Sequence, residues 1–494
     1  MAETPTFDLL IVGGGINGAG IARDAAGRGL KVLLVEKDDL AAHTSSASSK
    51  LIHGGLRYLE QFHFRLVRES LSERARLLRI APHLIRRLDF VVPQEGSPRP
   101  AWLVRLGLLL YDNLAGRDSL PSTRTVGLAA DACGEGLRRR EGKAFVYADC
   151  FADDSRLVVL NALDAAERGA RILTRTELIA AGRGKTWTAT VRGPKGEERV
   201  HARVLINAAG PWVADLLQRV NVTSSRRIRL VKGSHVVVPR LYDGDRAFLI
   251  QNPDRRIVFA IPFETDFTLV GTTDSFWSGE PGKPEIDEAE TDYLLDAVRR
   301  TFTKPIERRD IAWTYSGIRP LFDDGSSTAA KVTRDYMLDL DEQGAPVLSI
   351  FGGKLTTYRR LAEHALHRLG HLFPDAGGPW TAETALPGGD GDPAALPSSL
   401  ASEFPRLPDA LLRRMSRAYG TRANRILAGA VTLEDLGPVL AGDLTAREVD
   451  YLVNVEWART SEDILFRRTK LGLHIDRSAT GPLEDYLERI RHAA

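Results

Sequence analysis

The sequence predicts an α/β chain: a doubly wound parallel sheet, an antiparallel β region set within it, and a C-terminal helical domain. Three observations predict this. An apolar run, Leu9 to Val12, leads directly into Gly13-x-Gly15-x-x-Gly18, and a second apolar run ends in Glu36. Short strand-like runs recur between Val231 and Thr273. Beyond a stretch rich in Pro, Gly and Asp at 374–397, strand alternation disappears.

The first observation is the most specific. Leu9 to Val12 reads as a buried strand, Ile16 to Arg28 as a helix, and Lys31 to Val35 as a second strand. Ala19, Ala22, Ala25 and Ala26 keep the helix slim. Strand, glycine turn, helix, strand and terminal acid form a dinucleotide-binding fingerprint, so the sheet is Rossmann-like. Gly13 permits the turn, Gly15 lets backbone approach a pyrophosphate, and Gly18 lets helix and strand pack closely. Ile16 and Asn17 open the helix, whose N–H groups and dipole favour phosphate charge. Glu36, followed by Lys37, is placed to accept hydrogen bonds from a ribose. An acid here argues against a 2′-phosphate and so against NADP; NAD and FAD both satisfy this stretch.

Length and composition set bounds. A chain of 494 residues is expected to form two or three domains. A net charge of +2 gives no global attraction to nucleic acid. The two cysteines, Cys133 and Cys150, form no CxxC and read as free thiols in a reducing compartment. No metal is expected. The N-terminus has no basic segment followed by an apolar one, so no signal peptide is expected. No run approaches the roughly 18–20 apolar residues of a membrane span.

Along the chain, Thr44-Ser-Ser-Ala-Ser-Ser-Lys50 is a loop dense in hydroxyls, placed to meet a phosphate or the polar edge of a ring. Phe62 to Pro82 reads as a helix. The segment WLVRLGLLLY, Trp102 to Tyr111, is half the length of a bilayer span. It reads as a core helix, with an interfacial segment flanked by Arg99 and Arg105 as the alternative. Val204 to Trp212 reads as a strand ending in a small-residue turn, where ligands bind in such sheets. Glu288 to Phe302 reads as an amphipathic helix. Ser349-Ile-Phe-Gly-Gly-Lys-Leu reads as a strand meeting a second helix start near Lys354. In the last region Thr445-x-x-Glu448 reads as a capping box.

Seven stretches carry a family resemblance: residues 11–30, 44–60 (TSSASSKLIHGGLRYLE), 207–213 (NAAGPWV), 232–239 (KGSHVVVP), 270–275 (VGTTDS), 314–321 (TYSGIRPL) and 351–359 (FGGKLTTYR). Together they resemble the aerobic, membrane-associated, FAD-dependent glycerol-3-phosphate dehydrogenases over nearly the whole chain. The resemblance implies non-covalent FAD and oxidation of sn-glycerol 3-phosphate to dihydroxyacetone phosphate. Electrons would pass to ubiquinone or menaquinone. A glycerol-3-phosphate oxidase, which uses oxygen and makes peroxide, is the nearest alternative. The implied location is cytoplasmic, attached peripherally to the inner face of the cell membrane; a homodimer is compatible, and no nucleic acid is involved. Residues 1–385 would form the FAD and substrate region, its antiparallel part roughly 222–315, and 386–494 the helical cap.

The family's cofactor contacts map onto Gly13, Gly15, Ile16, Asn17, Gly18, Glu36, Lys37, Thr44, Ser45, Ser46, Ser48, Lys50, Leu51 and His53. Ala209, Gly210, Gly353, Lys354, Leu355 and Thr356 complete that set. Substrate contacts map onto His53, Arg57, Tyr58, Arg319 and Lys354, with His235 in KGSH as a further candidate. The chemistry agrees with these residue types. A dianionic phosphate calls for fixed cations, and Arg57 and Arg319 can each grip it bidentately. A base must meet the hydroxyl: His53 fits by type, and His235 competes. Arg319 can instead polarise the forming alkoxide. Lys354 and the helix start beside it suit either substrate or the reduced flavin. His43, one residue before the hydroxyl loop, departs from the family pattern and reads as a solvated histidine.

Overall fold

The computed structural model describes residues 6–114, 120–326, 328–329 and 332–493; the side chains of Arg57, Gln61, Arg477 and Ala493 lie outside that description. β1 (Thr6–Val12) buries Leu9, Leu10 and Ile11 completely. It turns into α1 (Ile16–Gly27), and β2 (Val32–Val35) returns parallel to β1. Helices α2 (Phe64–Ile80), α3 (Ala101–Leu114) and α4 (Asp154–Glu167) follow, and β3 (Gly196–Asn207) pairs in parallel with the other side of β1. The sheet extends from β2 to Arg171–Leu173 and from β3 to Val347–Phe351, all parallel. Strand order therefore reverses at β1, and such a switch point opens a crevice at the strands' carboxyl ends.

The slim face of α1 has a use. The helix lies between α4 and α5 (Tyr358–Arg368), and a Cβ on Gly20 would stand 2.7 Å from Cδ2 of Tyr358.

The strand-like runs between 231 and 273 form an antiparallel ladder. It comprises β4 (Ile228–Pro239), Arg246–Gln251, Ile257–Phe263 and Phe267–Gly271, with β5 (Trp313–Phe322) on the other side of β4. The sheet reaches further than the 222–315 stretch. Strands at Ile85–Pro93 and Lys143–Ala152 continue it, and Leu51–Ile52 closes the far edge. It thus joins chain segments from both sides of the first sheet's crossover.

Two readings are corrected. α3 is a surface helix and not a core one. It buries Val104, Leu108 and Tyr111 but exposes Trp102, Leu103, Leu106, Leu109 and Leu110. The helix Ala446–Asn454 also starts without the expected capping box: the Thr445 side chain makes no cap bond. Glu448 instead accepts two hydrogen bonds from Arg414, at 2.6 and 2.7 Å, and one from the Tyr419 hydroxyl at 2.6 Å. A desolvated carboxylate takes a guanidinium in preference to a backbone N–H. The C-terminal region has its own apolar core, from Leu400 to Leu487, and one short two-stranded ladder, Val439–Ala441 with Leu444–Thr445.

Gly18 fixes how α1 meets β1. A Cβ there would lie 1.9 Å from the carbonyl oxygen of Gly13. Backbone cannot yield as a side chain tip can, so Gly18→Ala is expected to cost roughly 2–3 kcal/mol. Thermal unfolding of the variant, beside its bound-flavin content, checks this; a wild-type melting curve would refute it.

Candidate active site

One cavity of about 710 Å³ runs from the carboxyl ends of β1 and β3 to the face of the second sheet. Its size suits a cofactor together with a small substrate. The α1 N-terminus forms its floor. Gly13 sits at φ +115°, and a Cβ there would press 2.4 Å from the Ala208 carbonyl oxygen, so β1 and β3 end in near backbone contact. The N–H of Ile16 donates to Ser45 Oγ at 2.9 Å. Asn17 Nδ2 donates to the Gly352 carbonyl at 3.2 Å, and Asn17 Oδ1 is buried without a protein partner.

At one end Glu36 is buried and accepts the N–H groups of Gly14 at 2.6 Å and Asp38 at 2.8 Å. Burial raises its pKa, and those two donors oppose the rise. Each oxygen keeps a lone pair for a ribose hydroxyl. The Lys37 ammonium lies 3.7 Å from the centre of the Trp212 ring. His43 is not a solvated loop residue. Its Nε2 lies 2.7 Å from Asp38 Oδ2, and its ring edge meets Trp212 at 4.7 Å. That hydrogen bond holds Asp38 below the usual carboxylate range.

The hydroxyl loop spends most of its groups on protein. Thr44 Oγ1 donates to the Ile318 carbonyl at 2.6 Å, Ser46 Oγ to the His43 carbonyl at 3.3 Å, and Ser48 Oγ to Asp154 at 2.8 Å. Lys50 is buried, with its ammonium 2.7 Å from Asp154 and 3.1 Å from the Ser46 carbonyl. Thr44, Ser45 and Ser48 line the cavity; Ser46 and Lys50 do not. Gly18 also stays off the wall and acts through packing.

The other end gathers His53, Tyr58, Phe259, Arg319 and Lys354. Thr356 Oγ1 accepts the backbone N–H of His53 at 3.3 Å. The Lys354 ammonium lies 4.2 Å from the centre of the Tyr58 ring. Arg319 projects from β5, opposite Val231 of β4. Its Nη1 donates to Asp274 at 2.5 Å and its Nη2 to Thr272 Oγ1 at 3.0 Å. Arg334 reaches the same Asp274 oxygen at 3.4 Å. A Cβ on Gly233 would stand 2.3 Å from Arg319 Nη2, which explains the glycine in KGSH: the guanidinium lies against bare backbone.

Leu51, Ala209, Gly210, Gly353 and Leu355 also line the cavity, as do Gly15, Ile16 and Thr356. His235 does not. It is wholly buried on β4, its Nε2 2.9 Å from Ser49 Oγ and its ring stacked on Tyr315. Burial, then the charges of Arg319 and Lys50, hold it well below its ordinary pKa and so neutral. Arg57 falls outside the residues whose side chains are described. Sequence reasoning missed Asp274 and Arg334; the first stood in view in the VGTTDS motif.

These residues fit a flavin dinucleotide: a helix start free of bulky side chains, an acid at the ribose distance, an orphaned amide oxygen on the floor, and cations at the far end. Comparison with known proteins agrees. A family model described as FAD dependent oxidoreductase matches residues 8–359. This chain belongs to the FAD-dependent oxidoreductases. A second model, described as the C-terminal domain of alpha-glycerophosphate oxidase, matches residues 379–488. The chain is 52% identical to the D-erythritol 1-phosphate dehydrogenase of Brucella abortus over 96% of each chain. It is 50% identical to a glycerol-3-phosphate dehydrogenase of Pseudomonas aeruginosa, over 99% of this chain and 97% of that one. Its fold is similar to that of the Bacillus halodurans glycerol-3-phosphate dehydrogenase solved with FAD: TM-score 0.72 at 24% identity, covering 99% and 94% of the two chains.

Glu36→Ala removes the ribose acceptor. Losing one such hydrogen bond costs roughly 1–3 kcal/mol, so FAD should be retained about tenfold less tightly with substrate selectivity unchanged. Equilibrium dialysis of FAD beside a substrate panel checks this; unaltered FAD affinity would refute the placement.

Proposed function

We propose that this chain oxidises the carbinol of a small polyol phosphate, sn-glycerol 3-phosphate first, to the matching ketone, dihydroxyacetone phosphate. The observation that carries the reading is that Arg319, Arg334 and Lys354 line the same cavity as His53. Bound FAD supplies the hydride acceptor. The chain's own residues do the rest. Arg319 and Lys354 hold the phosphate and fix the carbinol carbon in register. The hydroxyl proton passes to a ring nitrogen of His53, while the Arg319 guanidinium stabilises the negative charge forming on oxygen. Phe259 packs edge-on to His53, ring centres 6.4 Å apart, and limits water on that side.

A second reading has a specific support: the relative at 52% identity is named for D-erythritol 1-phosphate. That ester carries the same unit, a carbinol beside a phosphorylated methylene, with one more carbinol beyond it. The phosphate cluster serves both; only the space past the carbinol separates them. Anaerobic bleaching of the flavin spectrum with sn-glycerol 3-phosphate, erythritol 1-phosphate and unphosphorylated glycerol tests both readings. Bleaching by neither ester would reject them.

For the electron acceptor we infer a membrane quinone, with the enzyme peripheral on the cytoplasmic face. Among the described residues no helix is long and apolar enough to cross a membrane. Support comes from the surface. α3, with its exposed apolar residues, contacts α2; Phe62 and Phe64 are exposed at the start of α2, and Arg65 and Arg68 stand exposed on it. Such a patch suits insertion into an anionic lipid interface. Leu56, Tyr58, Glu60 and Arg99, on the flanking segments, line the cavity. The oxidase alternative is separated by oxygen consumption of the purified enzyme without quinone. A homodimer remains part of the proposal, tested by sedimentation.

Two outcomes follow. A charge-assisted hydrogen bond is worth about 1.5–3 kcal/mol, so Arg319→Ala should lower kcat/KM for the phosphate ester at least about tenfold, with kcat falling as well as KM rising. Arg319→Lys should recover only part, because an ammonium lacks the planar fork. Steady-state kinetics with an artificial acceptor, at full FAD content, is the measurement; near-wild-type kcat/KM would remove Arg319 from the site. On the surface, Trp102→Glu with Leu106→Glu should abolish cosedimentation with anionic vesicles while activity toward a soluble acceptor persists. Undiminished cosedimentation would move the membrane face elsewhere.

A further inference from the structure

No described residue beyond Thr356 lines the cavity, yet three segments of its wall are tied to the C-terminal domain, directly or through one turn, by ion pairs. The first segment follows β2. Asp39 is almost fully buried and accepts Arg467 Nε at 2.8 Å and both terminal nitrogens of Arg468 at 2.8 Å. It stands between Glu36 and His43, which face the cavity. The second segment is 174–178. The Arg175 guanidinium donates to both oxygens of Asp463, at 2.6 and 2.8 Å. Its backbone N–H, and that of Thr176, bond the carbonyls of Asp38 and Glu36. The third is the hydroxyl loop. Ser48 and Lys50 rest on Asp154; its neighbour Asp153 accepts the Lys470 ammonium at 2.5 Å, and Ser155 Oγ bridges Lys470 and the Arg467 carbonyl. Arg467 and Arg468 come from a single π-helical turn, Asp463–Arg468.

Asp39, Asp463, Arg467, Arg468 and Lys470 are buried at the domain seam, while Arg175 and Asp153 are partly exposed. Such a pair adds little net stability when complete, but removing one partner strands the other and displaces whatever carries it. What the stranded partners carry here is cavity wall. We propose that Arg467, Arg468 and Lys470 are positioning residues for the cofactor: the docked C-terminal domain sets the shape of the 36–50 and 174–178 walls and so governs FAD retention. By linkage, bound FAD strengthens the docking of that domain. The proposal rests on this cavity holding FAD.

The test uses the holoenzyme. FAD release on dilution is followed by the rise of free-flavin fluorescence, with visible circular dichroism of the bound flavin and thermal unfolding measured in parallel. Arg468→Ala should release FAD at least about tenfold faster and alter the flavin dichroism. Arg468→Lys should recover part of the retention. With FAD saturating, kcat should stay within about threefold, since Arg468 touches no reacting group. The control is Arg414→Ala. Arg414 pairs with Glu448 and Asp443 inside the C-terminal domain. This variant should lower the melting temperature yet leave FAD release within about twofold. Should Arg468→Ala fail to fold, Lys470→Met is read by the same criteria. Unchanged FAD release in a folded Arg468 or Lys470 variant overturns the proposal, as does equal acceleration in Arg414→Ala. Wild-type enzyme purified without flavin would instead fault the cofactor reading itself.

Discussion

The site depends on backbone meeting backbone at the first turn. The Gly13 carbonyl sits where a Cβ of residue 18 would go, and the Ala208 carbonyl sits where one of residue 13 would go. This contact brings the start of α1 and the ends of β1 and β3 into one small volume. The positive end of the helix dipole then opens onto the crevice of the strand switch. Side chains of any size at those two positions would separate these parts, and no downstream residue could restore the floor.

Above that floor, the polar groups that shape the cavity are largely committed to one another. The Ser/Thr loop, rich in hydroxyls by sequence, uses them on Ile318, His43 and Asp154. Lys50, a cation beside the ring-binding stretch, is neutralised by Asp154. The physical reason is desolvation: a buried hydroxyl or ammonium without a partner is costly, so a loop that must be rigid before its ligand arrives satisfies itself. What it presents outward is mostly backbone and small side chains. Charged side chains still line the cavity, among them Glu36 and Lys37 near the α1 start and Arg319, Arg334 and Lys354 away from it.

The local parts of this arrangement were legible in the sequence. The first strand, glycine turn, helix and Glu36 are set by neighbours within thirty residues, and the strands between 231 and 273 are short apolar runs separated by turn residues. Non-local pairing was not legible. The strands at 85–93 and 143–152 join the second sheet through partners far along the chain. α3 read as core because its composition is apolar; only the packing shows that a single stripe is buried. Glu448 matched a capping pattern, but Arg414, distant in sequence, claims its carboxylate. At the site, residue type alone could not separate His53, on the cavity wall, from His235, stacked behind it on Tyr315.

The sharing of Asp274 by Arg319 and Arg334 sets a rule for what settles there. The two guanidiniums already have a carboxylate between them, so an arriving anion competes with a resident of the same kind. A monoanion offers about what Asp274 offers and gains little by approaching. A dianion brings twice the charge and more acceptor oxygens, and tips the balance. Such a pair sorts visitors by valence before shape. On the proposed reading of this site, ordinary carboxylates and chloride would compete poorly with a group the protein carries itself.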